Sequence, residues 1–296
     1  MSVLDVLGAR AGARDPDGAA LVTPEGPLTW SGLADVVDAR AGELLGSGVE
    51  PGALLPLVVD PDRGGIVGLL AAWRAGVVPA PLNARLTEPE RARAREALVA
   101  APPDCQAVLW TSGTSGQPRG VALGRAGLLA HVEAVAERLE LDGSEVWLAS
   151  LSPAHVGGLA LVARAALTGA TIVVPGRPDM DGLLRALRRT TSAVTHVSLV
   201  PTQLDRLVGT WGAAPPPPEL RCILIGGAHA PPALVRAATQ AGWPIALTYG
   251  MTEMWSQVAT APPDLTRQRP GTVGAPLTGV EVRIAAEQEI LVRGPT

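Results

Sequence analysis

Residues 111–120, Thr111-Ser112-Gly113-Thr114-Ser115-Gly116-Gln117-Pro118-Arg119-Gly120, put three glycines, four hydroxyl side chains and one cation into ten consecutive positions. Glycine lets a backbone take positive φ and come close to a ligand. Successive N–H groups and hydroxyls can then turn toward an anion, and Arg119 adds a fixed charge with a planar donor fork. This is chemistry suited to a polyphosphate. The run is not a P-loop of the form G-x-x-x-x-G-K-[ST], because no Lys follows its glycines. Taken alone, it also fits a polar connection between two strands.

Two further runs lie downstream: Ile225-Gly226-Gly227-Ala228, then Leu247-Thr248-Tyr249-Gly250-Met251-Thr252-Glu253. In this order and spacing the three runs resemble those of the adenylate-forming superfamily of acyl-CoA ligases, luciferases and nonribosomal-peptide adenylation domains. The resemblance implies coupling of a carboxylic acid to ATP with release of pyrophosphate, then transfer of the acyl group to coenzyme A. It implies phosphate binding by Thr111, Ser112, Gly113, Thr114, Ser115 and Gly116, assisted by Arg119, which stands where the family usually carries Lys. It implies an adenine site at Gly227, Ala228, Tyr249 and Gly250, a contact of Thr252 with the α-phosphate, and Mg²⁺ held by Glu253. Thr252, Glu253 and Arg119 would form the catalytic set. Read without the family, Glu253 also fits a solvated loop acid and Tyr249 a core aromatic.

The stretches Thr195-His196-Val197-Ser198-Leu199-Val200-Pro201-Thr202-Gln203-Leu204, His155-Val156-Gly157-Gly158-Leu159 and Tyr249-Gly250-Met251-Thr252-Glu253-Met254-Trp255-Ser256-Gln257 resemble the o-succinylbenzoate–CoA ligase branch, which serves menaquinone biosynthesis. That likeness implies an acyl pocket lined by His155, Gly226, Ser198, Thr202, Ser256 and Gln257. Trp255, replacing a smaller residue, is expected to narrow or reshape it. Ser198 and Thr202 fit strand and helix-cap roles equally well, and His155 also fits a structural histidine. His131 and His196 fall in a helix and a strand, where core or surface roles are expected; His229 fits a solvated position. Other aryl- or fatty-acyl-CoA ligases, and a non-catalytic nucleotide- or acyl-adenylate-binding remnant, remain alternative readings.

The elements that must hold these loops alternate in type. Leu54 to Val59 and Cys222 to Ile225 read as buried strands, as do Val146–Leu151, Thr171–Val174, Val194–Leu199 and Ile245–Thr248. Helical spacing covers a segment capped by Ser31, Gly65–Gly76, Leu128–Leu139, Leu159–Leu167, Gly182–Arg189 and Pro232–Ala241. Alternation of this kind predicts an α/β fold of stacked, mostly parallel sheets flanked by helices. Ligands then bind outside the carboxyl ends of the strands. The loops at Thr111, Ser152, Gly226 and Tyr249 each follow a predicted strand, so they are expected on one rim.

The boundaries expected are an α/β core over 1–265 carrying the ATP and acyl sites, and an incomplete β-rich subdomain over 266–296 in which 271–274, 280–284 and 289–292 read as strands. By the resemblance, a C-terminal lid domain bearing a catalytic Lys is missing. The chain has no Lys at all. It is therefore expected to be of low activity alone, or completed in trans; loss of such an electrostatic clamp typically costs on the order of 10²–10³ in rate.

The 296 residues suffice for a sizeable core. With seven Trp, one Tyr and no Phe among 47% hydrophobic residues, that core must be built from Leu, Val, Ile and Ala. A net charge of −4 with interspersed signs argues against nucleic acid. Cys105 and Cys222, far apart in apolar surroundings, fit buried thiols of a reducing cytoplasm. No apolar run is long enough for a membrane span and no signal peptide is apparent, so a cytoplasmic protein without membrane or nucleic-acid partners is expected. The sequence sets no oligomeric state and leaves a homo-oligomer open.

Overall fold

A computed structural model describes residues 15–96, 100–111, 119–189 and 193–295. Ser112, Gly113, Thr114, Ser115 and Gly116 lie outside the described residues.

The body is an eight-stranded sheet. In chain order its strands are β1 (Ala19–Thr23), β2 (Gly26–Thr29), β7 (Val146–Leu148), β8 (Thr171–Val173), β9 (His196–Leu199), β10 (Cys222–Ile225), β11 (Ile245–Met251) and β12 (Ser256–Ala261). In space they run β12-β11-β10-β9-β7-β8-β1-β2. The six inner strands are mutually parallel, and β12 and β2 close the two edges antiparallel. Cys222–Ile225 reads as one apolar run because both of its faces are covered, as parallel strands require.

Helices α4 (Arg125–Leu139), α5 (Val156–Thr168), α6 (Met180–Arg188), α7 (Pro201–Trp211), α8 (Pro232–Gln240) and α9 (Pro263–Gln268) follow the strands or the turns beyond them. The first three described helices, α1 (Trp30–Gly46), α2 (Arg63–Arg74) and α3 (Glu88–Glu96), belong to the smaller N-terminal part. That part also holds a parallel pair, β3 (Leu54–Val59) with β4 (Val78–Asn83), and an antiparallel hairpin, β5 (Cys105–Thr111) with β6 (Arg119–Gly124). One apolar cluster joins α1, α2, α5 and the hairpin; another fills the space between the sheet and α6, α7 and α8. Both are dominated by Leu, Val, Ile and Ala, as the near absence of aromatics demands.

Several expectations change. The cap of α1 is Thr29, whose Oγ1 accepts from Gly32 N–H at 3.1 Å, and Ser31 lies inside the helix. The segment 271–274 forms no strand; among the described residues beyond 266, β13 (Glu281–Ile284) and β14 (Ile290–Arg293) pair as a separate hairpin, and Pro276 makes a single antiparallel bridge to Ala259. Thr111 and Arg119 do not belong to the large sheet. They face each other as the last pair of the β5–β6 hairpin, in a sheet of its own. Tyr249 is not in a loop, because β11 continues to Met251.

Both cysteines are buried free thiols, and burial pushes Cys222 up to about 12. Among the described residues, no helix is long and apolar enough to cross a membrane.

Candidate functional site

Parallel strands aim their carboxyl ends the same way, and here those ends open on a cleft of about 610 Å³. Its wall comes from Thr111 at the end of β5, the segment 151–157 after β7, Ser198–Val200 at the end of β9, Gly226 and Gly227 after β10, and β11–β12 around Gly250, Thr252 and Gln257. The structure thus gathers the expected loops at one rim, with the β5–β6 hairpin contributing from the neighbouring sheet.

Local chemistry explains how each wall is held. At Gly227 the chain turns with φ +78°, a conformation open to glycine. At Gly250 a side chain would collide with the Ser256 carbonyl across the β11–β12 turn. That turn also contains two consecutive non-glycine residues at positive φ, Trp255 at 52° and Ser256 at 106°. Such conformations cost of order 1–3 kcal/mol each and persist only where the surroundings impose them. The imposing contact is visible: the Trp255 indole, 1% exposed, donates from Nε1 to Gly124 O at 2.9 Å. Trp255 therefore does not reshape the acyl pocket as expected. It packs into the core and ties the β11–β12 turn to the end of β6.

Among the expected acyl-pocket residues, His155, Gly226, Ser198, Ser256 and Gln257 line the cleft, whereas Thr202 faces solvent on the first turn of α7. His155 is the N-cap residue of α5, exposed, with Nε2 3.4 Å from Asn83 Nδ2. Ser198 is buried, and its carbonyl accepts from Ser150 Oγ. Gln257 is 1% exposed; its Oε1 accepts from Thr260 Oγ1 at 2.7 Å, while Nε2 has no partner among the described residues.

Of the residues expected to serve the nucleotide, Thr111, Gly227, Gly250 and Thr252 line the cleft. Ala228 is exposed next to Gly227. Tyr249, alternating with Thr248 and Gly250, packs instead beside a third apolar cluster containing Val135, Met254, Val258 and Leu277. Glu253 and Arg119 are both exposed, Glu253 in the 3₁₀ turn Thr252–Met254 and Arg119 at the start of β6. Thr111 Oγ1 is 3.4 Å from the Arg119 carbonyl.

One cleft residue escaped the sequence reading. Arg164 sits in the middle of α5, in the otherwise apolar run Leu159–Leu167, and is 2% exposed. Burial lowers its pKa to about 10, so the guanidinium stays charged at neutral pH. Its Nε has no hydrogen-bond partner among the described residues, and none of their carboxylates forms an ion pair with it. Glu145, whose charge does reach it, is already bound to the N–H groups of Asp142 and Gly143 at 2.8 and 3.0 Å. An unpaired buried charge is strongly unfavourable, and arginine is almost never fully buried without a partner. A lone Arg inside an apolar helical run was the signal available in the sequence. His131 and His196, both buried, are uncharged: burial first, then the charge of Arg164 and, for His196, of Arg221, lowers each to about 3.

Comparison with known proteins fits this geometry. The profile of the AMP-binding enzyme family matches residues 90–296. The chain is 35% identical over 201 residues to a 2-succinylbenzoate–CoA ligase of Bacillus cereus, covering 65% of this chain, and 34% identical to one from Bacillus cytotoxicus. The matched stretch spans 41% of the length of these curated relatives. The fold is shared with the o-succinylbenzoate coenzyme A synthetase of Bacillus subtilis in complex with ATP and magnesium ion, at TM-score 0.88 and 24% identity, covering 98% of this chain and 70% of that one. It is shared too with VinN in complex with L-aspartate, at TM-score 0.82 and 24% identity, covering 100% of this chain and 89% of that one. With the profile matched over more than half of its residues, this chain belongs to the AMP-binding enzyme family.

Proposed function

We propose that this chain carries the ATP- and acid-binding site of an AMP-forming acid–thiol ligase, and that the acid is o-succinylbenzoate. In the first step a carboxylate oxygen of the acid attacks the α-phosphorus of ATP. The new P–O bond gives an acyl-adenylate, and the bond to the β-phosphate oxygen breaks to release pyrophosphate. In the second step the sulfur of coenzyme A attacks the acyl carbon, the C–O bond to the adenylate breaks, and AMP leaves as the thiol proton passes to solvent. The product, o-succinylbenzoyl-CoA, belongs to menaquinone biosynthesis, and the reaction would take place in the cytoplasm, where ATP and coenzyme A are supplied.

Arg164 is the observation that carries the choice of acid. One carboxylate of the substrate is consumed in forming the adenylate, so a monocarboxylic acid leaves nothing ionic for this buried cation. A substrate with a second carboxylate does. Hydrogen bonds to charged groups contribute about 1.5–3 kcal/mol. Gln257 Nε2 and the polar groups of Ser198 and Ser256 offer further donors around the same cavity.

At the mouth, Thr111 and Thr252 would meet phosphate oxygens and Arg119 would offset developing pyrophosphate charge. Mg²⁺ is usually held by one or two carboxylates together with substrate phosphates. Glu253, next to Thr252 in the 3₁₀ turn, supplies that donor type, so the residues fit the ion. Bound there, Mg²⁺ would neutralise phosphate charge during transfer.

Calorimetric binding of two non-hydrolysable mimics, o-succinylbenzoyl-adenylate and benzoyl-adenylate, tests this reading without requiring turnover. Wild type should prefer the o-succinylbenzoyl compound, and Arg164→Met should erase roughly 10–100-fold of that preference while keeping the benzoyl affinity. Equal affinity of the wild type for both mimics would overturn the assignment of the acid.

A further inference from the structure

The same cavity raises a second question: what aims Arg164, if no carboxylate does? Its Cζ lies 4.4 Å from the ring centroid of Trp147. Trp147 is the middle residue of β7, 1% exposed, and is not itself part of the cleft wall. Trp147 pairs across the sheet with His196, whose ring is 4.7 Å away and tilted by 34°. Thr195 Oγ1, 2.8 Å from His196 Nδ1, anchors that imidazole from the other side. The aromatic layer under Arg164 is therefore built into the sheet.

A carboxylate partner and an aromatic partner hold a guanidinium differently. A carboxylate occupies the N–H edge and neutralises the charge, leaving nothing for a ligand. An aromatic face attracts the cation through its quadrupole and leaves the in-plane N–H donors available. We propose that Trp147 is the positioning residue of this site: it holds Arg164 by its indole face with the donor edge turned to the cleft, and so sets the preference for acids bearing a second carboxylate. The inference rests on the role given to Arg164 above. His131 and His196 complete the arrangement, since uncharged imidazoles neither repel the guanidinium nor compete for an incoming anion.

The test uses the same two mimics and reads the ratio of their dissociation constants. Loss of the indole face in Trp147→Leu should lower the preference for the o-succinylbenzoyl mimic roughly 5–30-fold. Trp147→Phe, which keeps a smaller π face and a better-filled core, should lower it only about 2–5-fold. In an Arg164→Met background, Trp147→Phe should leave the ratio unchanged, because coupled residues lose their separate effects together. A purely structural Trp147 would weaken both mimics alike in every background, leaving the ratio at its wild-type value, and that result overturns the proposal even if Leu at 147 prevents folding. An equal ratio change from Trp147→Phe with and without Arg164 would overturn it as well. If Arg164→Met itself leaves the ratio untouched, the reading of the acid fails first and this inference falls with it.

Discussion

Arg164 and Arg119 bear the same guanidinium, but one lies 2% exposed in the floor of the cleft and the other stands in solvent where β6 begins. The floor is made by Arg164 of α5 and by Ser198 and Leu199 of β9, with Trp147 of β7 packed against the Arg164 guanidinium from outside the cleft wall. The rim is made by the hairpin β5–β6 and the 3₁₀ turn after β11, where Thr111, Arg119 and Glu253 meet water. The floor works with few charges whose effect is large, because a low local dielectric strengthens each interaction. At the rim, interactions are screened and individually weak. Under the proposed function the two ends of the cleft would divide the work: the floor would discriminate between acids, and the rim would gather phosphate from several small contributions.

The largest effect that would sharpen this contrast comes from the buried histidines. Each has a pKa of about 3 in the folded protein against 6.5 for the free side chain. Between those values the unfolded chain binds a proton that the folded chain refuses, so stability rises with pH across that window and levels off near pH 7. At about 1.4 kcal/mol per pH unit and site, lowering the pH from 7 to 5 should remove roughly 3–4 kcal/mol. Urea denaturation across this range measures it, and His131→Leu should halve the slope. Unchanged stability from pH 7 to pH 5 would mean that the buried surroundings of Arg164 admit water and charge, and floor and rim would then not differ.

The floor and the rim also differ in how far the sequence disclosed them. Leu54–Val59 and Cys222–Ile225 are uninterrupted apolar runs, and the strands have those bounds. By contrast, α7 carries Asp205, Arg206 and Gly209 among its apolar residues and was not anticipated. Its start was nonetheless encoded: Pro201 opens the helix, and the Gln203 side chain accepts from Val200 N–H at 3.0 Å. The edge strand β12 (Ser256–Ala261) was missed because Ser, Gln and two Ala dilute the strand preference of Val258 and Thr260, and its place is imposed by pairing with β11. Rim motifs were legible because their spacing along the chain is also their chemistry. Arg164 was not, since its meaning depends on Trp147 and His196, 17 and 32 positions away in the sequence and adjacent only once the sheet forms.

A middle-sized effect separates the rim, where Mg²⁺ is proposed to bind, from the floor. Glu253→Gln keeps the shape of the 3₁₀ turn and removes one negative charge. It should weaken binding of Mg·ATP roughly tenfold while leaving the free acid, proposed to bind deeper in the cleft, within about twofold. Titration calorimetry with each ligand gives both numbers. Equal losses would make Glu253 a support of the turn and leave the rim without its carboxylate.

Arg119→Ala should have the smallest effect, and its salt dependence matters more than its size. An exposed cation acting on phosphate through water contributes little, so affinity for ATP and pyrophosphate should fall only about twofold to fivefold. AMP, which lacks the β- and γ-phosphates that such a cation would serve, should bind nearly as before. The difference between wild type and variant should also shrink as ionic strength rises from 0.05 to 0.5 M, roughly the range over which screening closes in on exposed charges. The Arg164→Met effect, set in a buried floor, should hardly change over the same range. If the Arg119 effect were instead independent of salt, this arginine would have to close down onto the nucleotide and exclude water in the bound state. The contrast would then lie between a floor that is built in advance and a rim that is built by its ligand.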